Sequence, residues 1–435
     1  MTRLKWLWIA WAVLIIPLPA AYAIDLLLLA PSCPDCHEEQ TKALPLVTPD
    51  AQGLVRIRAS GMEFRARVDG FEENPGGEGV ILLHGFAATS IMWEPLMERL
   101  VAEGFRVVAF DQRGYSPGAN PSRVTPYSSG RLAADVIAVA AAVGFEQFHV
   151  VGHDFGGAIA WITADRFPQQ VMSIASLSTP HPGALSEALE TPAAQWADSS
   201  YVLFYQLPWL PELVLGFNGA AYLQNHNWQW LPPKEVEEYK RVFTGPGALR
   251  GPLNWYRAFE FNSHDPLNKI TQPSLFIWGT EDDAFGRVSA NKTANYVEGP
   301  YRQHSLKAGH KLMVEAPDQV ADAVLSHLKS LPKLSEQWSA ASVTSGQDDA
   351  TPCDQSKPHC LNIIVAPNGK SVRIRNKCDE RHTGAVRMSC TGWAPDAFVE
   401  FRFDLGPKGD MVQRSNGVSA GECYYRHRLC PSQTQ

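Results

Sequence analysis

Residues 150–157 read VVGHDFGG, and this stretch decides the fold. The apolar run at 148–152 predicts a buried β-strand, and residues 156–167 predict a helix directly after it. Small residues at Gly152 and Gly156 let the chain turn sharply at Asp154. Because such a strained turn exposes the side chain at its centre, we predict that Asp154 is a nucleophile. The alternative is an ordinary helix cap made by the same carboxylate.

A carboxylate in this position points to a particular chemistry. It cannot run serine-esterase chemistry, but it can attack an sp³ carbon and form an alkyl ester. Two further groups follow Asp154 in the order acid, then base. Asp282 lies in an acidic loop, and His310 follows an Ala-Gly pair. We predict that His310 activates water and that Asp282 orients it, with Asp283 and Glu281 as alternative acids.

Strand-like and helix-like segments alternate on both sides of the turn, which predicts a mainly parallel sheet with helices on both faces. The insertion at about 182–268 breaks this alternation and predicts a cap of helices. A closing helix is predicted at 314–331. The predicted strands are two within 54–68, then 80–83, 105–110, 148–152, 171–177, 274–278 and 303–306.

The oxyanion of an ester intermediate needs backbone N–H donors. The first parallel strand ends in His84-Gly85-Phe86, which offers the N–H of Phe86. The residue after the nucleophile offers the N–H of Phe155. We predict that these two groups form the oxyanion hole and that His84 is structural. The segment 111–114 is also predicted to be a structural turn with a salt bridge.

Residues 54–331 resemble the α/β-hydrolase superfamily and, within it, the epoxide hydrolases. The cap segment GPLNWYR at 251–257 is similar to the one that carries one of two epoxide-gripping tyrosines. The resemblance therefore implies that Tyr256 and Tyr201 hold the epoxide oxygen. Tyr205 is the substitute for Tyr201, and plain aromatic packing is the alternative for both. The other matching residues are HGF at 84–86, DQRGYS at 111–116, GHDFGG at 152–157, Asp282 and His310.

Two positions depart from the family pattern. Ala87 stands where epoxide hydrolases usually have proline, and Phe155 stands where many have tryptophan. Haloalkane dehalogenases resemble the same turn but hold the halide with side-chain N–H donors next to the nucleophile and the oxyanion glycine. Phe155 and Phe86 have no such donor, so dehalogenation or ester hydrolysis is the second expectation. A non-catalytic binding protein on the same fold is the third.

The composition limits the classes of partner and substrate that we expect. Of the 435 residues, 45% are hydrophobic and 19% charged, as in a globular protein rather than a disordered chain. The net charge of −7 gives no indication of a nucleic-acid partner. The Trp-rich cap favours a small apolar substrate. The resemblance implies no metal and no organic cofactor.

The N-terminus predicts export. A positive start, an apolar run and the Ala-Tyr-Ala site predict a signal peptide at 1–23, cleaved after Ala23. We therefore expect a secreted or periplasmic protein. The alternative is an uncleaved anchor, and only in that case is the membrane a partner. The lead at 24–53 carries Cys33 and Cys36. With His37 they match the haem-attachment pattern, although too little chain surrounds them for a cytochrome, and a disulfide is favoured.

The C-terminal part differs from the hydrolase domain at 54–333. A polar linker at 334–352 leads to a segment at 353–435 that holds six of the eight cysteines and has 12 Lys and Arg against 8 Asp and Glu. Short β-like runs occur at 361–365, 371–375, 385–388 and 398–403. We predict a small β-rich domain with three disulfides rather than a metal site. Its partner is not predicted by the sequence.

Overall fold

The structure is a computed structural model that describes residues 36–48, 50–190, 201–245, 247–258 and 267–331, together with the backbone of six strands between residues 361 and 430. The chain divides into two compact units, Met1–Ser339 and Ala340–Gln435. The division falls within the segment predicted as a linker. The predicted signal peptide at 1–23, Cys33 and the linker at 334–352 lie outside the described residues.

Eight strands of the first unit form one sheet, in the order β1-β2-β4-β3-β5-β6-β7-β8. The first two are antiparallel to their neighbours, and the strands from β4 onward run parallel. The predicted mainly parallel sheet is therefore confirmed. The strands are β1 (Gly53–Ala59), β2 (Met62–Asp69), β3 (Gly79–Leu83), β4 (Arg106–Phe110), β5 (Phe148–His153), β6 (Val171–Leu177), β7 (Ser274–Gly279) and β8 (Tyr301–Leu306).

The core lies on both faces of this sheet. Every residue of β3 is buried, as expected for a central parallel strand that is covered from both sides. Ile81 and Leu83 join the apolar cluster on one face. Val80 and Leu82 point the other way and join the second cluster. This double cover explains why the strand reads as a continuous apolar run rather than as an alternation.

Helices flank the sheet, and five of those described lie between β6 and β7, where the cap was predicted. The flanking helices are α1 (Cys36–Ala43), α2 (Glu94–Ala102), α3 (Ser129–Ala142), α4 (Phe155–Arg166), α10 (Arg287–Lys292), α11 (Leu312–Glu315) and α12 (Pro317–Lys329). The cap helices are α5 (Pro182–Leu189), α6 (Tyr201–Tyr205), α7 (Leu210–His226), α8 (Pro233–Phe243) and α9 (Arg250–Ala258). Within the described part of the chain, none of the helices has the length and apolarity to span a membrane.

The prediction of one closing helix at 314–331 was wrong. Two helices, α11 and α12, occupy this part of the chain. Ala316 between them has φ −145° and ψ 51°, and Pro317 opens α12. Proline lacks the N–H that a continuous helix requires and disfavours helical geometry in the residue before it. Pro317 therefore separates the two helices.

The second unit contains six strands in two three-stranded antiparallel sheets, ordered β13-β10-β9 and β12-β11-β14. Four of them coincide with the β-like runs of the sequence. The strands β13 and β14 were not predicted, because charged residues such as Arg426 and Arg428 interrupt their apolar pattern. The strands are β9 (Leu361–Val365), β10 (Ser371–Asn376), β11 (His382–Cys390), β12 (Val399–Leu405), β13 (Asp410–Arg414) and β14 (Cys423–Cys430).

Candidate active site

Asp154 occupies a strained turn between β5 and α4. Its backbone has φ 53° and ψ −125°, a conformation that non-glycine residues rarely adopt. A Cβ atom on Gly152 would lie 2.1 Å from the Gly156 carbonyl oxygen, and one on Gly156 would lie 2.0 Å from the Leu83 carbonyl oxygen. Only glycine fits these two positions. The Asp154 side chain makes no capping hydrogen bond to α4, so it does not act as the ordinary helix cap of the alternative interpretation.

The structure brings His310 and Asp282 together at Asp154. His310 Nε2 lies 3.5 Å from Asp154 Oδ2, and His310 Nδ1 lies 3.0 Å from Asp282 Oδ2. The Asp282 side chain is fully buried, and its Oδ1 accepts hydrogen bonds from the backbone N–H groups of Ala284 and Phe285. The carboxylate at His310 is thus Asp282. The alternative acids Glu281 and Asp283 are exposed.

The charges of these three groups depend on one another. Burial opposes ionisation of Asp154, but the hydrogen bond and positive charge of His310 outweigh it and lower its pKa to about 2. Burial likewise opposes protonation of His310, yet the negative charge of Asp282 and the hydrogen bond to Asp154 raise its pKa well above the ordinary value. These shifts favour an ionised Asp154 carboxylate beside a protonated His310.

Phe86 supplies one donor to this carboxylate. Its backbone N–H donates to Asp154 Oδ1 at 2.8 Å. A Cβ on Gly85 would lie 2.5 Å from the Asp154 Cβ, so glycine is required for the loop to approach the nucleophile. Phe155, the other predicted donor, follows Asp154 directly and opens α4. The two carboxylate oxygens are thereby distinguished, because Oδ1 faces an N–H donor and Oδ2 faces the imidazole.

Two tyrosines of the cap face the nucleophile across a cavity. Tyr201 and Tyr256 line this cavity together with Asp154, and their ring centroids are 6.1 Å apart. Tyr205 packs on Tyr256 at 4.7 Å, but it is not among the cavity-lining residues. Burial raises the pKa of all three phenols, with a contribution from the negative charge of Asp154. All three groups therefore keep their protons at neutral pH.

The rest of the cavity is mostly apolar. Phe155 and Phe285 line it close to the catalytic carboxylates. Among the described residues that line it, the only hydroxyl besides the two phenols belongs to Thr179, whose Oγ1 donates to the Asp154 carbonyl oxygen at 2.7 Å. The remaining lining residues are Ala158, Pro180, Pro182, Leu185 and Val202. A ligand in this cavity meets apolar walls, one carboxylate and two phenols.

Two residues that hold His310 have no signature in the sequence. Ser178 Oγ and His153 Nε2 both donate to the His310 carbonyl oxygen, at 2.7 and 2.8 Å. Ser178 has φ 66°, and His153 Nδ1 is buried with no hydrogen-bond partner among the described residues. Burial and the neighbouring His310 lower the pKa of His153 to about 4, so its ring stays neutral. The signal available was position: Ser178 follows the end of β6, and His153 ends β5.

A buried group of charges seats the cap on the sheet. Glu238 of α8 accepts hydrogen bonds from Arg65 Nη2 at 2.8 Å and from Arg67 Nη2 at 2.7 Å, and Arg65 also pairs with Asp111 at 2.7 Å. We call these four residues the cap–core ion cluster. The motif at 111–114 thus makes a structural salt bridge, though not an internal one. Arg113 pairs instead with Asp135 of α3.

The loop after β3 and the N-terminal helix α1 also make structural contacts. His84 Nε2 accepts the backbone N–H of Gln112 at 3.0 Å, and the Gln112 amide donates to the His84 carbonyl oxygen. His37 on α1 lies near Arg65 and Asp111, where burial lowers its pKa. A haem iron would need the His37 ring as a free ligand, whereas this ring is packed close to Arg65 and Asp111 within the first unit.

A match to a known protein family agrees with this geometry. The family profile described as alpha/beta hydrolase fold matches residues 79–317. That is more than half of the chain, and it includes Asp154, Asp282 and His310. The chain therefore belongs to the α/β-hydrolase family.

Individual relatives narrow the class. Epoxide hydrolase 4 of Homo sapiens is 34% identical over 289 residues, which cover 63% of this chain and 78% of that protein. AB hydrolase superfamily protein YfhM of Bacillus subtilis is 31% identical over 280 residues, which cover 63% of this chain and 97% of that protein. The crystal structure of Epoxide Hydrolase A from Mycobacterium thermoresistibile is 27% identical, with a TM-score of 0.54 and coverage of 65% and 99%. Within its family the chain is epoxide hydrolase-like.

Proposed function

We propose that the protein hydrolyses epoxides to diols through an alkyl ester on Asp154. The observation that carries this proposal is the placement of one carboxylate between an imidazole and two phenols. His310 lies on the Oδ2 side of Asp154, while Tyr201 and Tyr256 line the same cavity from the cap. The relatives named epoxide hydrolases support the same reaction.

In the first step, Asp154 Oδ2 forms a bond to one epoxide carbon. The bond between that carbon and the ring oxygen breaks, and its electron pair stays on the oxygen. An alkoxide is a poor leaving group, so it must gain a hydrogen bond or a proton as it forms. Tyr256 and Tyr201 supply that hydrogen bond as protonated phenols.

In the second step, His310 takes a proton from water, and the water oxygen attacks the ester carbonyl carbon. Negative charge then develops on Oδ1, where the Phe86 N–H already donates at 2.8 Å. Phe155 is the proposed second donor. Collapse of this intermediate breaks the bond between the carbonyl carbon and Oδ2, and His310 gives its proton to the departing Oδ2, which leaves as a hydroxyl of the diol. The remaining proton on the Asp154 carboxyl group returns to His310 and restores the resting site. Asp282 stabilises the imidazolium throughout.

Formation of the neutral ester explains how His310, which is protonated in the resting site, can later act as a base. In the resting site, Asp282 and Asp154 both raise the pKa of His310. Esterification removes the charge of Asp154, and with it part of that effect. The pKa of His310 therefore falls after the first step, and its proton passes to the alkoxide oxygen of the opened epoxide before water is activated.

The rival reactions fit the cavity less well. A haloalkane dehalogenase needs side-chain N–H donors at the leaving halide. Among the described residues that line the cavity there is no indole and no amide side chain, whereas two phenols are present. A non-catalytic binding protein would have no need of a nucleophile, base and acid in hydrogen-bonding order. The mostly apolar walls favour small apolar epoxides.

The test is intact-mass spectrometry of the His310→Gln variant after incubation with styrene oxide. The first step does not need the base, so an adduct with the mass of the epoxide should accumulate. Asp154→Asn is the matched control, and it should carry no adduct. A folded His310→Gln protein without adduct across a panel of aryl and alkyl epoxides would contradict the proposal. An adduct in Asp154→Asn as well would place the nucleophile elsewhere.

We also propose that the C-terminal segment is a small β-rich domain closed by disulfides. The support is the backbone register, in which Cys390 at the end of β11 pairs with Cys423 at the start of β14. Cysteines opposite each other on neighbouring strands are close enough for a cross-strand disulfide. With the signal-like N-terminus, this supports a secreted or periplasmic location. Intact mass of the exported chain would report cleavage after Ala23 and the number of oxidised cysteines, and eight free thiols would contradict the proposal.

A further inference from the structure

The loop at residues 84–90 carries the Phe86 donor, and we call it the oxyanion loop. Its centre is strained: Ala87 has φ 55° and is buried. Proline cannot adopt this angle, because its ring fixes φ near −65°. The geometry of this loop therefore excludes the proline that the family pattern has at this position. A non-glycine residue with positive φ persists only where its surroundings hold it.

Trp228 of the cap holds that alanine. Its indole Nε1–H donates to the Ala87 carbonyl oxygen at 2.9 Å. The indole is buried, and its ring lies 5.7 Å from both Tyr239 and Phe243 of α8. The donor is thus fixed by packing within the cap rather than by the loop itself. The bond joins a cap residue to the backbone of the residue next to the oxyanion donor.

A second cap residue binds the same loop. Glu238 Oε1 accepts a hydrogen bond from the Thr89 hydroxyl at 2.6 Å. Ser90 at the end of the loop donates its N–H to Asp111 Oδ1 at 2.7 Å. The cap–core ion cluster therefore fixes the far end of the oxyanion loop. Among the side-chain hydrogen bonds of the described residues, the one from Trp228 reaches its strained centre at Ala87.

We propose that Trp228 is a positioning residue for the oxyanion hole. By holding the Ala87 carbonyl, the indole N–H keeps the left-handed turn that aims the Phe86 N–H at Asp154 Oδ1. The inference rests on the proposed function, because it acts on the ester-hydrolysis step. It also ties the catalytic loop to a seated cap, since Trp228 leaves Ala87 if the cap lifts.

The test is Trp228→Phe, which keeps a buried aromatic ring and removes the N–H. Single-turnover reactions with styrene oxide, followed by quenched intact mass, give the rates of alkylation and of ester hydrolysis separately. Removal of an oxyanion donor costs about 10²-fold or more. Misalignment of a donor that stays present should slow hydrolysis about tenfold, while alkylation changes less than about threefold. The alkyl-enzyme then accumulates.

Trp255→Phe is the matched control. Trp255 is also a buried cap indole that donates to a core backbone carbonyl, that of Arg113 at 2.7 Å, but it makes no bond to the oxyanion loop. The Trp255→Phe variant should lose a similar amount of stability and keep the wild-type ratio of the alkylation rate to the ester-hydrolysis rate. If Trp228→Phe also keeps that ratio, Trp228 only packs the cap and the proposal is overturned.

A second substitution separates shape from hydrogen bonding. Incorporation of 3-benzothienylalanine at position 228 keeps the bicyclic ring and replaces the N–H by sulfur. It should reproduce the slow hydrolysis of Trp228→Phe, and wild-type rates would overturn the inference. Failure of the underlying function gives a different result, because no alkyl-enzyme would then form in any variant, His310→Gln included.

Discussion

The catalytic floor and the cap contribute to one site in different ways. The floor consists of Asp154, Asp282, His310 and the N–H of Phe86, and each of them follows the end of a parallel strand. The cap contributes Tyr201 and Tyr256 from helices. The strands that carry the floor are joined by backbone hydrogen bonds of the sheet, and Ser178 and His153 hold the His310 carbonyl. The cap is held by side chains, chiefly Trp228 and the cap–core ion cluster.

This difference has a mechanistic meaning. In the proposed mechanism the floor contains the groups that form and break the ester, whereas the cap contains those that receive the epoxide oxygen. Opening of the cap would withdraw the phenols and release the oxyanion loop at once. In the arrangement described, the cap both lines the cavity with the two phenols and holds the Ala87 carbonyl through Trp228. Substitutions in the floor should abolish chemistry, and those in the cap should reduce or uncouple it.

The largest effect is expected in the floor. Asp154→Asn keeps the shape of the side chain but removes the nucleophilic charge, so turnover should fall by about 10⁶-fold, as loss of a nucleophile does elsewhere. Diol formation from styrene oxide is the measurement. The unfolding temperature should stay close to that of the wild type, which distinguishes lost chemistry from lost structure. Activity within tenfold of the wild type would remove Asp154 from the reaction.

The next effect is expected in the cap. Tyr256→Phe and Tyr201→Phe each remove one hydrogen bond to the opening epoxide, and each should slow alkylation by about 10²-fold or more. The rate of ester hydrolysis should change little, because the phenols act in the first step. Tyr205→Phe is the control, since Tyr205 does not line the cavity. An equal loss in Tyr205→Phe would mean that the three rings matter only as packing.

The bond between the two regions can be broken at Glu238. Burial alone would raise its pKa, but Arg65 and Arg67 hold it below the ordinary value of 4.5. Glu238→Gln leaves two buried guanidinium groups short of a counter-charge, which should lower the free energy of unfolding by about 3 to 5 kcal/mol at pH 7. Denaturant titration measures this.

The pH dependence of that difference provides the control. A group whose pKa is lowered on folding stabilises the protein above its unfolded pKa, and this stabilisation disappears as pH falls toward the folded value. The gap between wild type and Glu238→Gln should therefore narrow below about pH 4.5. A gap that is constant with pH would mean that the variant loses packing rather than charge.

The smallest effect is expected on the pKa of His310 in the floor. In Asp154→Asn the neutral amide imitates the charge of the ester, so the pKa of His310 should lie below its wild-type value. Titration of the His310 ring by NMR measures this. Asp282→Asn should lower the same pKa, because Asp282 is the main group that raises it. Equal His310 pKa values in wild type and Asp154→Asn would show that Asp154 does not control the base.

The floor was more predictable from the sequence than the cap. Asp154, Asp282 and His310 follow strands that read as apolar runs, and parallel strands bring such ends to one edge of a sheet. Tyr201 and Tyr256 required the family resemblance. Their roles, like those of the floor residues, stay predictions until the variants are measured.

Residues that act through a backbone carbonyl were missed. Trp228 and Ser178 each donate to one, and a carbonyl carries no side-chain signature that a sequence pattern can pair with a donor. The positive φ of Ala87 was equally hidden, because alanine rarely adopts it and nothing nearby in the sequence signals it. Pro317 was visible, but its effect on the closing helix was underestimated.

The cap–core ion cluster also limits how this sequence can change over time. Arg65, Arg67, Asp111 and Glu238 are all buried, so one substitution leaves the two positive and two negative charges of the cluster out of balance. Each member is therefore tolerated only together with the others. Descendants of this chain are expected to keep all four or to replace them as a set, and the alignment columns of β2 and α8 should covary although they are more than 170 positions apart.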